Sequence, residues 1–175
     1  MSILLSFAPW ILLWVLKMWI PAWGALVISL IISLLSDRKR LKKGFLVSWI
    51  VFASMVAMLI LDLIFGIHLP HWVSSVVMSG SFATMAWISL LVGSPFTYQY
   101  AKETVPQDKW SSPQFIYVNK LLTAIWAAAM TANVVSSVFD YKTTLVSILA
   151  IVIPVYLTKK IPEYYKNRAK KQRGE

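Results

Sequence analysis

No cysteine occurs in the 175 residues, which excludes disulfides, thiolate metal sites and a cysteine nucleophile, and leaves the redox compartment unread. Charge is scarce as well. Charged residues make up 14% of the chain, against roughly a quarter in an ordinary soluble domain, and long stretches carry none. Acids are the rarer sign, seven against seventeen lysines and arginines. Histidine occurs twice, as His68 and His71, in one short loop around Pro70. That placement is wrong for a haem held by histidines on facing helices, and a metal site would need further ligands. The residues offer no cofactor.

What is present is apolar: 58% of the chain is hydrophobic, with a mean hydropathy of +0.67. The net charge of +10 would by itself suggest nucleic acid. Here the basic residues sit in short segments beside apolar runs, where they set orientation and meet anionic headgroups. No soluble reading domain exists for DNA or RNA, so nucleic acid is not an expected partner and membrane lipid is. The first cation, Lys17, lies beyond the N-terminal apolar stretch. The chain therefore lacks a basic leader region, and the segment reads as retained structure.

A spanning helix needs about 20 apolar residues. Gly44 to Phe65, Trp72 to Val92, Phe115 to Phe139 and Thr143 to Leu157 qualify fully or nearly, the last kinked at Pro154. Ile3 to Leu35 is long for one upright helix and short for two, with Lys17 and Pro21 in its middle. The favoured reading is a short, partly inserted helix from Ile3 to Leu16 followed by a span from Pro21 to Leu35. A hairpin of two thin spans is the alternative. The expected fold is thus all-α and integral to a membrane, a bundle of about five transmembrane helices plus that N-terminal helix. Residues 1–161 form one helical domain, and residues 162–175 a basic tail that extends the last helix and frays.

Orientation follows from lysine and arginine. Ser36 to Lys43 holds Arg38, Lys39, Arg40, Lys42 and Lys43; Gly93 to Ser112 holds Lys102 and Lys109; the tail after Leu157 holds seven more. Gly66 to His71 holds none and Asp140 to Lys142 holds one. The alternation puts the basic connections and the C-terminus in the cytoplasm. Trp19, Trp23, Trp72 and Tyr141 are expected as anchors at the outer interface, and Tyr98, Tyr100, Trp110 and Tyr156 at the inner one.

Few residues could carry chemistry. Asn119, Trp126 and Asn133 recur every seven residues, on one face of the fifth span. Two amides at membrane depth need a partner helix or a wet cavity. Interhelical hydrogen bonding is the plain reading and a polar lining the functional one. Ala124, Ala128, Ala132 and Ser136 form a small-residue stripe on the same helix, which lets backbones approach, within the bundle or in a homo-oligomer. Ser79, Gly80, Ala83, Thr84 and Ala86 offer a complementary surface. Asp62 is taken as the acid within an apolar run, near its outer end. The longest connection has Ser94-Pro95 at one end and Ser112-Pro113 at the other, each suited to cap a helix. A short interfacial helix from Pro95 to about Thr104 follows, then the fifth span from Pro113. Lys102, Glu103, Asp108 and Lys109 form its densest charge cluster. No catalytic constellation emerges.

With these residues in view, the chain resembles the intracellular septation protein A family of bacterial inner-membrane proteins. Phe7-Ala8-Pro9 in a short apolar segment, the loop with Pro95, Glu103, Pro106 and Trp110, and a helix with Asn119 and Asn133 carry the likeness. Trp126 sits later in that helix than the family's tryptophan. The resemblance implies about five spans, no established enzyme activity and a link to septation, envelope synthesis and membrane integrity. It directs attention to Glu103, Trp110, Asn119 and Asn133 as ligand- or partner-binding residues. The leading expectation is a non-enzymatic protein that organises the envelope through lipid or envelope-protein partners. A small transporter or channel, or a lipid-modifying enzyme using Glu103 or Asp62, are the alternatives. Because the chain has no competing thiol, Ser2→Cys probed with an impermeant thiol reagent reports the side of the N-terminus. Labelling from outside is expected of the half-inserted helix, and protection of the hairpin.

Overall fold

The computed structural model describes residues 2–67, 70–139 and 142–172, and their regular structure is helical throughout. The helices are α1 (Ser2–Leu16), α2 (Ala22–Lys42), α3 (Leu46–Leu63), α4 (His71–Leu91), the short α5 (Thr97–Ala101), α6 (Pro113–Val138) and α7 (Thr143–Gln172). A single 3-10 turn covers Gln107–Lys109. Among the described residues four stretches are long and apolar enough to cross a membrane: Leu46–Leu63, Trp72–Leu91, Pro113–Val138 and Thr144–Arg168. They support a multi-pass helical membrane protein. His68, Leu69, Asp140 and Tyr141, with the expectations attached to them, lie outside the described residues, as does the side chain of His71.

Successive helices reverse direction, so the bundle has a basic end and a lysine-poor end. α1 crosses between them. Its Ser6 meets Arg40 and Ser48 at the basic end, and Lys17, just past its last turn, reaches Ser74 at the other. α1 and α2 are therefore antiparallel, although α1 has only 15 residues. α2 differs from expectation. The 36–43 segment is not a loop, because α2 runs on through Lys42. Ser36 to Lys42 contains neither proline nor glycine, and cations in the last turn complement the helix dipole.

The helix stops where Gly44 takes φ +71° and Phe45 N–H bonds back to the Arg40 carbonyl at 3.0 Å. Gly93 ends α4 the same way, with φ +72° and Ser94 N–H on the Ser89 carbonyl at 3.0 Å. Ser112 caps α6 as its sequence predicts, accepting from Phe115 N–H with Pro113 in the first turn. The matching expectation at Ser94 fails. α5 starts at Thr97, has five residues and receives no side-chain cap. Pro95 and Phe96 are pulled under the bundle, and the buried Phe96 N–H is met by Ser89 Oγ at 3.2 Å. α7 continues unbroken through Pro154 and Pro162 to Gln172.

The core is aromatic at its centre. Phe7 of α1 stacks on Trp126 of α6, centroids 5.0 Å apart and planes at 5°. Phe82 of α4 packs on both, and Phe96 meets Phe82 edge-on at 5.3 Å. Each such pair adds roughly 0.5 to 1.5 kcal/mol beyond area burial. Trp126 keeps its polar atom paired by donating to Thr158 Oγ1 of α7 at 3.1 Å.

Two glycine substitutions separate backbone strain from packing. A Cβ at Gly93 meets nothing within 4 Å, so Gly93→Ala is strained only by its left-handed conformation. It should lower stability in detergent by about 1 to 2 kcal/mol. At Gly80 the added Cβ meets Val134 at an ordinary 3.8 Å in a normal helical conformation. Gly80→Ala should therefore leave the thermal midpoint unchanged or raise it.

Candidate functional site

The basic end is closed by a buried polar cluster. Asp37 and Arg40 lie three residues apart on α2, so both face α1 and α3 once the helix continues past Ser36. Asp37 is 1% exposed. Its Oδ1 accepts from an Arg40 guanidinium nitrogen at 3.0 Å, and its Oδ2 accepts from Ser48 Oγ–H at 2.6 Å. Arg40 also reaches Ser6 Oγ at 3.5 Å and the Glu103 carboxylate at 3.6 Å, and its guanidinium lies over the Tyr100 ring. Ser6 Oγ accepts from the Tyr100 hydroxyl at 3.1 Å and lies 3.3 Å from Ser48 Oγ. Burial, outweighing the Ser6 and Ser48 hydroxyls, pushes the Tyr100 phenol up to about 12. Tyr100 is thus a neutral donor inside the bundle and not the interfacial anchor expected of it.

Asp37, Arg40, Ser6 and Ser48 were not legible as a site. An acid heading a basic run reads as a solvated connection, and only the continued helix turns it inward. The one available signal was the three-residue spacing of Asp37 and Arg40.

The loop residues divide between two tasks. Glu103 pairs with Arg40. Lys102 instead places its ammonium 5.0 Å from the Trp110 ring centroid and 5.7 Å from that of Tyr98. The Trp110 indole donates to the Val105 carbonyl at 2.8 Å, holding the turn closed. Tyr98 stacks on Phe115, and burial raises its phenol above the ordinary value. Gln99 spans to the α2–α3 turn, accepting from Leu46 N–H at 2.9 Å and donating to the Gly44 carbonyl at 3.2 Å.

The two asparagines of α6 do different things. Asn119 donates to the Phe115 carbonyl of its own helix at 2.8 Å, while its backbone carbonyl accepts from Thr97. Asn133 donates to Ser79 Oγ of α4 and accepts from Ser147 Oγ–H of α7, both at 2.7 Å. Between them the fully buried Trp126 fills the shared face with its aromatic stack. The face is therefore no continuous polar path.

The small-residue stripe divides, with Ser136 buried and its three alanines turned toward the surface. Thr123, Ala127 and Met130 are buried in the bundle, whereas Ala128 and Ala132 are exposed and Ala124 is half-buried. Ala128, Ala132 and Ser136 line a shallow groove of about 690 Å³ with Trp87, Thr131 and Phe139. On α4, Ser79, Ala83 and Ala86 are buried, and Thr84 is exposed.

A second cleft, of about 240 Å³, opens between α1 and α7. Trp10, Ile11, Trp14 and Val15 form one wall and Ile148, Ile151 and Val152 the other. Ser75, Asn133 and Ser147 contribute polar atoms to it. Toward the lysine-poor end Ser75 and Ser137 pair at 3.1 Å, and Lys17 donates to Ser74 at 3.3 Å. Asp62 is 9% exposed, so it is sheltered despite its place near a helix end, and it lies within Coulombic reach of Lys17.

The polar cluster makes a direct prediction. Removing either charge of a buried pair strands the other, at about 3 to 5 kcal/mol. Asp37→Leu and Arg40→Met should each lower stability markedly in chemical denaturation. The double variant should lose much less than the two single losses combined. Compared with known proteins, the chain matches no family model, no curated protein and no solved structure.

Proposed function

We propose that this chain is a non-enzymatic, multi-pass protein of a bacterial inner membrane, with its basic end and C-terminus in the cytoplasm. It supports envelope organisation or septation through contacts with lipids and membrane-protein partners. The observation that carries this reading is the commitment of Asn133. Both ends of its amide are bonded to neighbouring helices, which is the interhelical use of a polar residue, worth about 0.6 to 2 kcal/mol per bond. The resemblance set out above supplies the cellular process.

The contact surface favoured by this reading is the basic end. Arg38, Lys39 and Lys42 on α2, Lys43 just past its end, and Lys102 and Lys109 on the α4–α6 connection are all exposed. Lys159, Lys160, Lys166 and Arg168 on α7 join them. Cations close to an anionic leaflet contribute about 1 kcal/mol each. Arg40 alone is withdrawn into the polar cluster.

Complementation of a deletion strain tests the reading against its rivals. Glu103→Gln and Asp62→Asn are expected to restore envelope integrity at normal protein abundance. Failure of either, with the protein present in normal amount, would point to chemistry at that carboxylate. Proteoliposomes are expected to show no solute flux above lipid alone. Flux that Asn133→Leu abolishes would replace the proposal with transport.

A further inference from the structure

The cleft between α1 and α7 is built differently from the shallow groove on α6. Its walls are apolar and partly aromatic, but its polar atoms cluster at one depth. Ser75 lies four residues into α4, Ser147 four residues into α7, and Asn133 five residues before the end of α6. At 1.5 Å per residue, all three sit roughly 6 to 8 Å below the lysine-poor end of the bundle. The boundary between headgroups and acyl chains lies at such a depth, ~5 to 10 Å below the surface. On α7 the wall continues inward by another turn, through Ile151 and Val152, while on α1 it ends at Trp10 and Ile11, close to the depth of the polar layer.

Each wall ends in a cation. Lys17 follows the last residue of α1, and Lys142 precedes the first residue of α7. Among the described residues these are the two lysines at this end, each next in sequence to a helix that walls the cleft. Lys17 is held in place by Ser74, next to the lining residue Ser75, with the Asp62 carboxylate close enough to act on it. Lys142 is exposed, in the turn that starts α7. The first turn of α7 adds the positive end of its helix dipole.

We infer that this cleft holds one glycerophospholipid. One acyl chain lies between the walls, an ester oxygen meets the Ser75–Asn133–Ser147 layer, and the phosphate stands between Lys17 and Lys142. The match is to an amphiphile with three zones in a fixed order: anion, hydrogen-bonding oxygen, hydrocarbon. Ser147 spends its proton on Asn133, so its layer receives the lipid through the remaining amide and hydroxyl capacity around it. A carboxylate close to Lys17 also suits an amine-bearing headgroup. The inference deepens the lipid-contact side of the proposed function, but it is tested in purified protein and stands apart from the envelope phenotype.

The experiment is a native mass spectrometry titration of the full-length protein in mild detergent. Phosphatidylethanolamine and a diacylglycerol with the same chains are added in parallel. The expected result is one phosphatidylethanolamine retained per chain, in preference to the diacylglycerol. Val152→Trp and Ile11→Trp fill the cleft from opposite walls without touching a described hydrogen bond. Each should reduce retention by about tenfold or more, since excluding even two methylenes has that effect. Either variant serves alone if the other fails to fold, as judged by helicity and thermal midpoint. Lys17→Gln and Lys142→Gln should each erode the preference for the phospholipid by roughly fivefold. Equal retention of the two lipids would overturn the phosphate assignment. Retention unaffected by the tryptophan variants would overturn the cleft assignment. A lipid-free dimer broken by the tryptophan variants would show a second copy of the chain in the cleft and overturn the proposal.

Discussion

Phe7 stacked face to face on Trp126 joins the first helix of the chain to the sixth, and the rest of the arrangement depends on that contact. α1, with 15 residues, is too short to hold itself in place by length alone. Pinned by Phe7 against Trp126 and Phe82, it carries Ser6 to one end of the bundle and Lys17 to the other. The cluster around Asp37 needs Ser6 as its bridge between Ser48 and Tyr100. The cleft against α7 needs the later turns of the same helix, where the exposed Ile11, Trp14 and Val15 with the buried Trp10 form one wall. One stacked pair thus positions both polar layers, although neither layer contains an aromatic ring of that pair.

The two ends solve the same problem by different means. Polar groups withdrawn from water must be satisfied by the protein itself. At the basic end a formal ion pair does most of this, with Ser48 donating to Asp37 and Ser6 and Glu103 meeting Arg40, while Arg40 Nε stays buried without a hydrogen-bond partner among the described residues. At the other end Lys17 bonds Ser74 with the sheltered Asp62 within Coulombic reach, and deeper in neutral groups suffice, as Asn133 is bonded by Ser79 and Ser147, and Ser75 by Ser137. Charge is used close to the surface, where water is near and desolvation is cheaper. Amide and hydroxyl are used deeper in.

Much of the fold was legible because hydropathy is a statement about length. The apolar runs 44–65, 72–92 and 115–139 each match a helix of the bundle to within two residues at either end, 143–157 covers the first half of α7, and the Ser112-Pro113 cap fell where its chemistry required. The boundary of α2 was misread for a specific reason. Charge density marks where a chain leaves the hydrocarbon, but helix propensity decides where the helix ends, and Ser36 to Lys42 contains no breaker. The Asp37 site followed from that error, since its two charges converge only on a helix. The Ser94-Pro95 reading failed because burial of Phe96 outweighed a local capping preference. In α6 the seven-residue spacing found the right face. It could not show that Asn119 would turn back on its own helix while Asn133 reached two others.

α7 is a single helix of 30 residues, about 45 Å long, against a hydrocarbon layer of about 30 Å. It therefore passes through the hydrocarbon and through headgroup zones as well, whereas α3, with 18 residues, is about 27 Å and matches the hydrocarbon alone. Only the short helix is obliged to track bilayer thickness; the long one slides its excess into the aqueous layer. Pro162 lies where that excess begins, and it removes a backbone donor from the ladder. Local thickening of the membrane consequently draws the lysines and arginine beyond Pro162 toward the surface, and thinning releases them. The height of that charged segment is set by the difference between helix length and bilayer thickness.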